Sequence, residues 1–349
     1  MWLSLGFVSL LLSVVGLPQA SCRPQASCQP SLPLPVREVY KFPTFPTYLE
    51  GIYARANGDL LAVTAFPDAF VYYLTGVDTD SPTVTLLQHF TEINTLTSII
   101  ETSPDVFTIL GGNTSAYATA VPGTFGVWEL DLRSPHHPAQ AREMVRLSSG
   151  GFMTSMDMIS PTNVLVADAS MGLVWQVDLQ SKTYELALQD PLMDSPSWAP
   201  APVGISNIKL HHGYLYWSNA FAATFSRIPV TVDGFAAPGA RGELITTVRS
   251  IFLDKFAFGG GGGGTADTVW AMTNADSRVV AIRPDGEYLT VAGQSDQMTV
   301  AGGVTGVFGR VPGDTHTFYV ATGGGFNFPI NGSIVEPGKI VAIDTSGFC

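Results

Sequence analysis

Two carboxylates and one lysine are the residues of this chain best suited to move protons in a buried site. Glu50, Asp157 and Lys255 each lie at or beside the start of an apolar, strand-like segment, and Asp254 directly precedes the lysine. A carboxylate surrounded by apolar side chains has a raised pKa, which lets it act as an acid or a base near neutral pH. We predict Glu50 and Asp157 as acid or base and Lys255 as a hydrogen-bond donor.

The segments that carry these residues recur along the chain. Each repeat opens with an apolar segment and continues through a turn into second and third apolar segments, as in NVLVADAS and GLVWQVDL. The opening positions are 48, 58, 51, 47 and 51 residues apart. The residues at these positions are Glu50, Ser98, Met156, Asn207, Asp254 and Thr305. A period of about fifty residues with several short strands per repeat is typical of a β-propeller.

Six repeats predict an all-β fold, a six-bladed β-propeller that forms one domain over residues 37–349. The innermost strands of a propeller meet at a central channel, so we expect the opening residues to line it. The sixth repeat shows only three strands, whereas REVYKF at residues 37–42 has strand character before the first repeat. We predict that this segment is the outer strand of blade six, which closes the ring and removes its exposed sheet edges.

Composition agrees with one closed domain. Hydrophobic residues make up 46% of the chain and charged residues 13%, and 36 glycines with 24 prolines suit a fold with many turns. The net charge is −12 and the chain contains no cluster of Lys and Arg. Nucleic acid is therefore not an expected partner.

The N-terminus resembles a secretory signal. Residues 1–20 are apolar and end in Pro and small residues, and residues 21–36 form an arm rich in Pro, Ser and Cys. We expect cleavage near Ala20, passage through the secretory pathway to an extracellular or lumenal location, and no membrane contact afterwards. A retained anchor is the alternative, because the segment lacks a positive charge before its apolar run. The sequons at Asn113 and Asn331 predict glycosylation.

The three cysteines, Cys22, Cys28 and Cys349, all lie outside the repeats. We predict a disulfide between Cys28 and Cys349 that fastens the ring closure, with Cys22 as the alternative partner. In the chain-entropy model, such a long closed loop contributes about 4 to 5 kcal/mol. This position argues against a cysteine-based metal site or a catalytic thiol.

Two conspicuous motifs are interpreted as turns. The glycines at 259–264 lack the Gly-Lys-Ser/Thr ending of a phosphate loop, so we place them in the hairpin between the first two strands of blade five. The pairs His136-His137 and His211-His212 also fall in turns. No third ligand is evident beside either pair, and we expect neither pair to bind a metal.

The chain resembles the senescence marker protein/gluconolactonase superfamily of six-bladed propellers. The similarity rests on Glu50-Gly51 opening blade one, Asn207 opening blade four and Asp254 opening blade five. The resemblance implies that these three residues hold one divalent cation, which polarises a lactone for hydrolysis. Oxygen ligands of this kind suit Ca²⁺, Mg²⁺ or Mn²⁺.

Three stretches are similar to fungal secreted propellers that include hetero-Diels-Alderases of tropolone-sesquiterpenoid (meroterpenoid) biosynthesis. They are residues 152–178, 206–230 and 253–282. This resemblance implies that a hydroxymethyl precursor loses water to give an ortho-quinone methide. The quinone methide then adds to a humulene-type alkene to form a dihydropyran. The implied partners are small hydrophobic substrates.

The chain departs from the lactonase pattern at the implied cation site. Met156 and Asp157 stand where an Asn is expected, and the glycines that follow the ligands are replaced by Ile208 and Lys255. A lysine beside the ion would repel it. We therefore expect no required cofactor, with Ca²⁺ or Mg²⁺ in the channel as an alternative, and Asp254 paired with Lys255 or with that metal.

The remaining candidates are assigned to substrate binding. They are Asn207, Trp217, Asn219, Phe221, Asn274 and Thr305. Asn219 and Asn274 could instead cap turns, and Trp217 could simply pack between blades. Two other functions remain open. A metal-dependent lactonase or esterase would lose activity on chelation, and a non-catalytic binding propeller would tolerate Glu50→Gln and Asp157→Asn.

Overall fold

Runs of β-branched and aromatic residues form the strands, and turns rich in Gly, Pro and Asp separate them. The computed structural model describes residues 30–134, 141–259 and 266–348, together with Met1. In this part of the chain, six four-stranded antiparallel sheets form the blades of a propeller. The all-β, six-bladed fold predicted from the repeat is confirmed.

The strands of the first half belong to blades one, two and three, after a first strand that joins blade six. The first strand is β1 (Val36–Lys41). Blade one contains β2 (Tyr48–Ala54), β3 (Leu60–Phe66), β4 (Phe70–Thr75) and β5 (Thr83–His89). Blade two contains β6 (Thr95–Ser103), β7 (Val106–Gly112), β10 (Gly126–Asp131) and β11 (Ala141–Arg146), with the small hairpin β8 (Thr114–Ala116) and β9 (Thr119–Ala120). Blade three contains β12 (Met153–Ser160), β13 (Asn163–Asp168), β14 (Leu173–Asp178) and β15 (Thr183–Gln189).

The second half forms the other three blades in the same order. Blade four contains β16 (Ile205–His211), β17 (Tyr214–Asn219), β18 (Thr224–Pro229) and β19 (Glu243–Thr247). Blade five contains β20 (Phe256–Phe258), β21 (Val269–Thr273), β22 (Arg278–Ile282) and β23 (Tyr288–Gly293). Blade six contains β24 (Gly303–Phe308), β25 (Thr317–Thr322) and β26 (Lys339–Asp344). Two short 3₁₀ turns lie at Pro191–Met193 and Asn274–Asp276.

Blade six is completed by the N-terminal strand. Strand β1 pairs antiparallel with β26, with Val36 opposite Ile343 and Lys41 opposite Lys339. The closing strand was predicted at residues 37–42 and is observed one residue earlier. Each end of the chain thus contributes to the same sheet, and the ring has no unpaired gap between its first and last blades.

The hydrophobic core is divided among the contacts between neighbouring blades. Six clusters of buried apolar side chains fill the six junctions of the described residues. Trp217 belongs to the junction of blades three and four, and Trp270 to that of blades five and six. Full burial of each Val, Leu, Ile, Phe or Met side chain in these clusters contributes about 1.5 to 3 kcal/mol. The blades therefore hold one another in place around the channel.

One face of the ring is covered by apolar side chains. The inner strands begin at this face, here called the upper face, and the loops that follow the second strands also lie there. An apolar cap closes the channel at this end, formed by Tyr117, Phe152, Phe221, Phe252, Phe326 and Phe328. The rings of Phe221 and Phe252 meet edge to face at 4.9 Å. Tyr117 reaches the cap from the β8–β9 hairpin.

Residues 2–29, 135–140, 260–265 and 349 lie outside the described part of the chain. The predicted signal at residues 1–20, most of the arm at 21–36 and the cysteines Cys22, Cys28 and Cys349 fall there, so the cleavage and disulfide assignments stay predictions. Among the described residues, no helix has the length and hydrophobicity of a membrane span.

Candidate active site

The channel is crossed by an ion pair between blades five and one. Lys255 Nζ lies 3.0 Å from Glu50 Oε1, and the two side chains are only 4% and 12% exposed. The same ammonium donates to the carbonyl oxygens of Glu50 and Thr97, each at 2.6 Å. An ammonium has three N–H donors, and these three oxygens use all of them. Lys255 therefore orders the inner strands of blades one and two.

This arrangement differs from what we expected for Lys255 and for Asp254. We had expected the lysine to donate to a substrate oxygen and Asp254 to pair with it or with a metal. The ammonium instead pairs with Glu50. Burial raises the pKa of Glu50, and the charge and hydrogen bond of Lys255 act in the opposite direction.

Asp254 lies beside this pair in a separate set of hydrogen bonds. Its Oδ1 accepts from Ser206 Oγ at 3.1 Å, and its Oδ2 accepts from Asn274 Nδ2 at 2.9 Å. Burial is the main cause that raises the pKa of Asp254 to about 7, and the nearby charge of Glu50 adds to the effect. A buried carboxyl that changes protonation near neutral pH is suited to general acid or base chemistry.

Two tyrosines complete the polar cluster under the cap. Tyr48 OH accepts from Asn274 Nδ2 at 2.9 Å and from Asn327 Nδ2 at 3.1 Å. Asn274 thus bridges Tyr48 to Asp254. Burial raises the pKa of Tyr48 and of Tyr117, and the negative charges of Glu50 and Asp254 raise both further. Both phenols therefore keep their protons at neutral pH.

The proposed cation ligands do not fit a divalent ion in this arrangement. Of Glu50, Asn207 and Asp254, the first is paired with an ammonium, and the last uses both carboxyl oxygens as acceptors. Asn207 Nδ2 donates to the carbonyl of Phe256 at 3.2 Å. A fixed positive charge 3.0 Å from the principal carboxylate would repel Ca²⁺ or Mg²⁺. At this position the positive charge comes from the side chain of Lys255.

Two small cavities lie on either side of the ion pair, and Glu50 lines both. The upper one has a volume of about 20 Å³ and lies between Tyr48, Thr97, Tyr117 and Phe152. The lower one has a volume of about 100 Å³ and is lined by Ser98, Met156, Asn207, Lys255 and Thr305 among others. The predicted opening residues thus face the channel at five of six positions, and Asp254 joins the cluster above.

Three predicted site residues lie elsewhere. Asp157, predicted as an acid or base, accepts from Lys209 Nζ at 3.2 Å and from the Leu210 amide at 2.6 Å, so it ties β12 to β16. Trp217 is fully buried between blades three and four, and its indole donates to the Leu192 carbonyl. Asn219 donates to the carbonyls of Leu192 and Asp194. These contacts agree with the structural alternatives given for Trp217 and Asn219, which were packing between blades and capping a turn.

The other predicted substrate-binding residues surround the channel. Asn274 belongs to the polar cluster, Asn207 and Thr305 line the lower cavity, and Phe221 belongs to the apolar cap. The sequons differ in exposure. Asn331 lies exposed in a turn, whereas Asn113 is half-buried and its side-chain amide donates to the Glu92 carbonyl. Glycosylation at both positions stays a prediction.

Sequence reasoning missed Tyr48, Tyr117, Ser206 and Asn327. Tyr48 and Ser206 lie one or two positions before predicted opening residues, so a wider window on each inner strand could have found them. Tyr117 lies in an insertion of blade two, where the spacing from Ser98 to Met156 is the longest, 58 residues. That excess length was a usable signal for an added element at the channel mouth.

The interpretation of one histidine pair was also incomplete. Asp267 supplies the third group beside His211 and His212, with the three potential ligand atoms within 4.8 Å of one another. These residues lie on the lower face, away from the cap. His136 and His137 are outside the described residues.

No protein-family model matches the chain. It is 28% identical over 343 residues to a protein of Sarocladium schorii named "Putative hetero-Diels-Alderase", covering 90% of this chain and 85% of that one. A protein of Phoma sp with the same name is 26% identical over 314 residues, covering 83% and 87%. The alignments therefore cover more than four-fifths of this chain and of each relative.

Solved structures show the same fold at low identity. A calcium-binding regucalcin of Agrobacterium tumefaciens aligns with a TM-score of 0.57 and 11% identity over 83% of this chain and 86% of that one. A structure described as that of a "putative gluconolactonase" aligns with a TM-score of 0.59 and 12% identity, covering 93% of this chain and 96% of that one. The chain is thus a six-bladed propeller with a senescence marker protein/gluconolactonase-like fold, and it has homologues named "Putative hetero-Diels-Alderase".

Proposed function

We propose that this protein is a pericyclase of the hetero-Diels-Alderase type in fungal secondary metabolism. Its substrates are a hydroxymethyl tropolone or phenol and a humulene-type alkene, which together give a tropolone-sesquiterpenoid. The names of the two relatives support the reaction class. The observation that carries the proposal is Asp254, a buried carboxyl with a pKa of about 7, placed beneath an apolar cap.

Asp254 is assigned the dehydration step. Its carboxyl proton is given to the leaving hydroxyl, the C–O bond breaks, and water departs. The ring hydroxyl of the precursor loses its proton to the resulting carboxylate, which leaves a neutral ortho-quinone methide and restores the acid. A carboxyl with a pKa near the working pH can serve in both directions. Asn274 and Ser206 hold the carboxyl in place through its two oxygens.

The cycloaddition needs positioning more than further proton transfer. The oxygen and terminal carbon of the quinone methide bond to the two alkene carbons, and one dihydropyran ring forms without loss of atoms. Holding both partners in reacting geometry can contribute several kcal/mol, and as much as about 7 to 11 kcal/mol in favourable cases. Tyr48 and Tyr117, protonated and close to Glu50 and Asp254, are suited to donate to the developing phenolate oxygen.

Substrate entry requires the cap to open. The cavity beneath it is about 20 Å³, whereas sites for molecules of this size measure about 300 to 1,000 Å³. The β8–β9 hairpin is the smallest element of the cap and carries Tyr117 and Ala118, both of which line this cavity. Its displacement would join the upper cavity to the space now filled by Phe152 and its neighbours.

Asp254→Asn tests the assignment because it keeps the size of the side chain and removes the transferable proton. The variant and the wild type are incubated with the hydroxymethyl precursor and the alkene, and the dihydropyran is quantified with its stereoisomers resolved. We expect a fall in rate of about 100- to 10,000-fold, toward the unselective background. Asp168→Asn is the matched control, since Asp168 is also buried with a raised pKa but caps the turn at Gly151 and Met171.

The two rival functions give different results. Selective product formation that survives Asp254→Asn would remove Asp254 from the mechanism, and absence of any wild-type product would overturn the proposed reaction. A lactonase that depends on a channel metal would lose its activity when the protein is treated with a chelator. We expect the cyclisation to continue under that treatment, because Lys255 supplies the charge in the channel.

A further inference from the structure

The lower face of the ring carries three metal-binding groups that the proposed reaction does not use. His211 ends β16, His212 lies in the turn that follows, and Asp267 lies just before β21 of the next blade. His211 Nε2 is 2.7 Å and His212 Nε2 is 3.3 Å from Asp267 Oδ1. Two imidazoles and one carboxylate from neighbouring blades thus converge on one point.

His212 has a left-handed backbone conformation, which few residues other than glycine and asparagine favour. His211 pairs with Tyr214 across the hairpin, so His212 and Gly213 form a two-residue turn. Their φ angles are 47° and 79°, both in the left-handed region. Such turns commonly carry Asn-Gly, and a bulkier residue at the first position is less favourable. In return, the turn brings the imidazole of His212 beside that of His211, with ring centroids 4.0 Å apart.

His211 is held from its other side. Its ring stacks on Phe258 at 4.1 Å with an interplanar angle of 13°. The side chain is 22% exposed, whereas those of His212 and Asp267 are 74% and 54% exposed. One ligand is thus rigid, and the other two can adjust to an ion.

We propose that His211, His212 and Asp267 form a Zn²⁺ site that joins blades four and five at the lower face. Zinc binds imidazole nitrogen and carboxylate oxygen at about 2.0 to 2.2 Å, which puts tetrahedral ligands about 3.3 Å apart. The observed separations of 2.7 Å and 3.3 Å need only small side-chain shifts to reach that spacing. The remaining coordination positions face a cavity of about 260 Å³ that can supply water.

The surrounding charges allow this ion. Arg227 and Arg283 also line the cavity. Arg227 is neutralised by Glu243, with Nε 2.9 Å from Oε2. The site lies outside the channel and is independent of the proposed reaction. Its expected effect is on stability, because an ion bound only by the folded protein shifts the unfolding equilibrium toward that state.

Zinc titration of the full, tag-free protein tests the site. After chelator treatment and dialysis, isothermal calorimetry with Zn²⁺ is expected to show one ion per chain and a higher melting temperature. His212→Asn and Asp267→Asn should each weaken binding by at least about tenfold, the lower end of what even supporting residues cost a metal site. Asn keeps the turn at residue 212, since it tolerates positive φ. His316→Asn, at an exposed position outside the site, is the matched control.

Co²⁺ gives an independent readout, because its visible absorption reports nitrogen and oxygen ligation directly. The same bands should appear in the wild type and in His316→Asn and be lost in the two site variants. Absence of Zn²⁺ binding by the folded wild type would overturn the proposal. So would binding that is equally strong in His212→Asn and Asp267→Asn.

Discussion

Lys255 reaches across the axis of the propeller and pairs with Glu50 at 3.0 Å, while its ammonium also binds the carbonyls of Glu50 and Thr97. The pair connects the inner strand of blade one to the segment that leads into β20. The resemblance to lactonase propellers implied a divalent cation held by Glu50, Asn207 and Asp254. Here the cation is part of the chain, and its charge is balanced by a buried carboxylate.

Lys255→Met should destabilise the protein strongly at neutral pH. The substitution leaves the Glu50 carboxylate buried without its partner, and loss of one member of a buried pair costs about 3 to 5 kcal/mol. The double variant Glu50→Gln, Lys255→Met removes both charges and should recover part of that loss. Guanidinium unfolding of the wild type, both single variants and the double variant measures the coupling. A loss below about 1 kcal/mol in Lys255→Met would show that the pair does not hold the blades.

Asp254 should make stability depend on pH. Its pKa is about 7 in the folded protein and 3.8 as the reference, so between these values the folded state keeps a proton that the unfolded state releases. The contribution of Asp254 to the free energy of unfolding therefore decreases as the pH rises through this window, by at most about 1.4 kcal/mol per pH unit. Asp254→Asn lacks this effect.

The comparison is made by urea unfolding of wild type and Asp254→Asn at several pH values across the window. Other carboxyls, such as Asp131 and Glu143, have lowered pKa values and make the free energy of unfolding increase with pH in both proteins. The effect of Asp254 is therefore read from the difference between the stability curves of the wild type and the variant. We expect the variant to gain stability relative to the wild type as the pH rises. Parallel curves would mean that Asp254 is ionised in the folded state throughout.

Turnover should fall as the pH rises above the pKa of Asp254. The proposed dehydration uses the protonated carboxyl, and burial together with the Glu50 charge places that pKa at about 7. Single-turnover rates with saturating precursor should therefore show a descending limb centred near this value. A rate that instead increases through the same range would indicate a deprotonated nucleophile, as a hydrolase would use.

Removal of β1 should open the ring. A chain that begins at residue 30 keeps the β1–β26 pairing, whereas one that begins at residue 42 exposes the edge of β26. We expect the first to remain monodisperse and to melt cooperatively, and the second to aggregate or to melt at a much lower temperature. Light scattering and thermal unfolding compare them. Equal behaviour of the two chains would show that blade six is stable with three strands.

The fold was predictable because each blade repeats the same local pattern. The six opening positions gave the blade number, and the strand character of residues 37–42 located the closing strand to within one residue. The role of Asp157 as an acid or base stays a prediction: strand alternation decides which side a residue faces, and its neighbour Met156 lines the lower cavity, whereas Asp157 binds Lys209 and the Leu210 amide. The sequence indicated that Lys255 lies near Glu50 and Asp254. Which of the two pairs with it depends on the distance between blades one and five, and the sequence does not show that distance.

The cap was beyond sequence reasoning for a different reason. Its members come from five or more loops far apart in the chain, and no periodic pattern relates them. The β8–β9 hairpin, which carries Tyr117, is anchored by Asn94, which exchanges hydrogen bonds with the backbone of Thr114. Such contacts between an insertion and a neighbouring loop are decided by the folded ring, and the spacing of residues along one blade does not encode them.

The ion pair between Lys255 and Glu50 also closes the central channel across its middle. A molecule that enters from the upper face reaches Glu50 and Lys255, and the lower cavity lies beyond this pair. The substrates, the released water and the product would then all pass through the same opening at the upper face. Substrate binding and product release would therefore have to alternate. In that case the movement of the apolar cap, and not the chemical step, would limit the turnover rate.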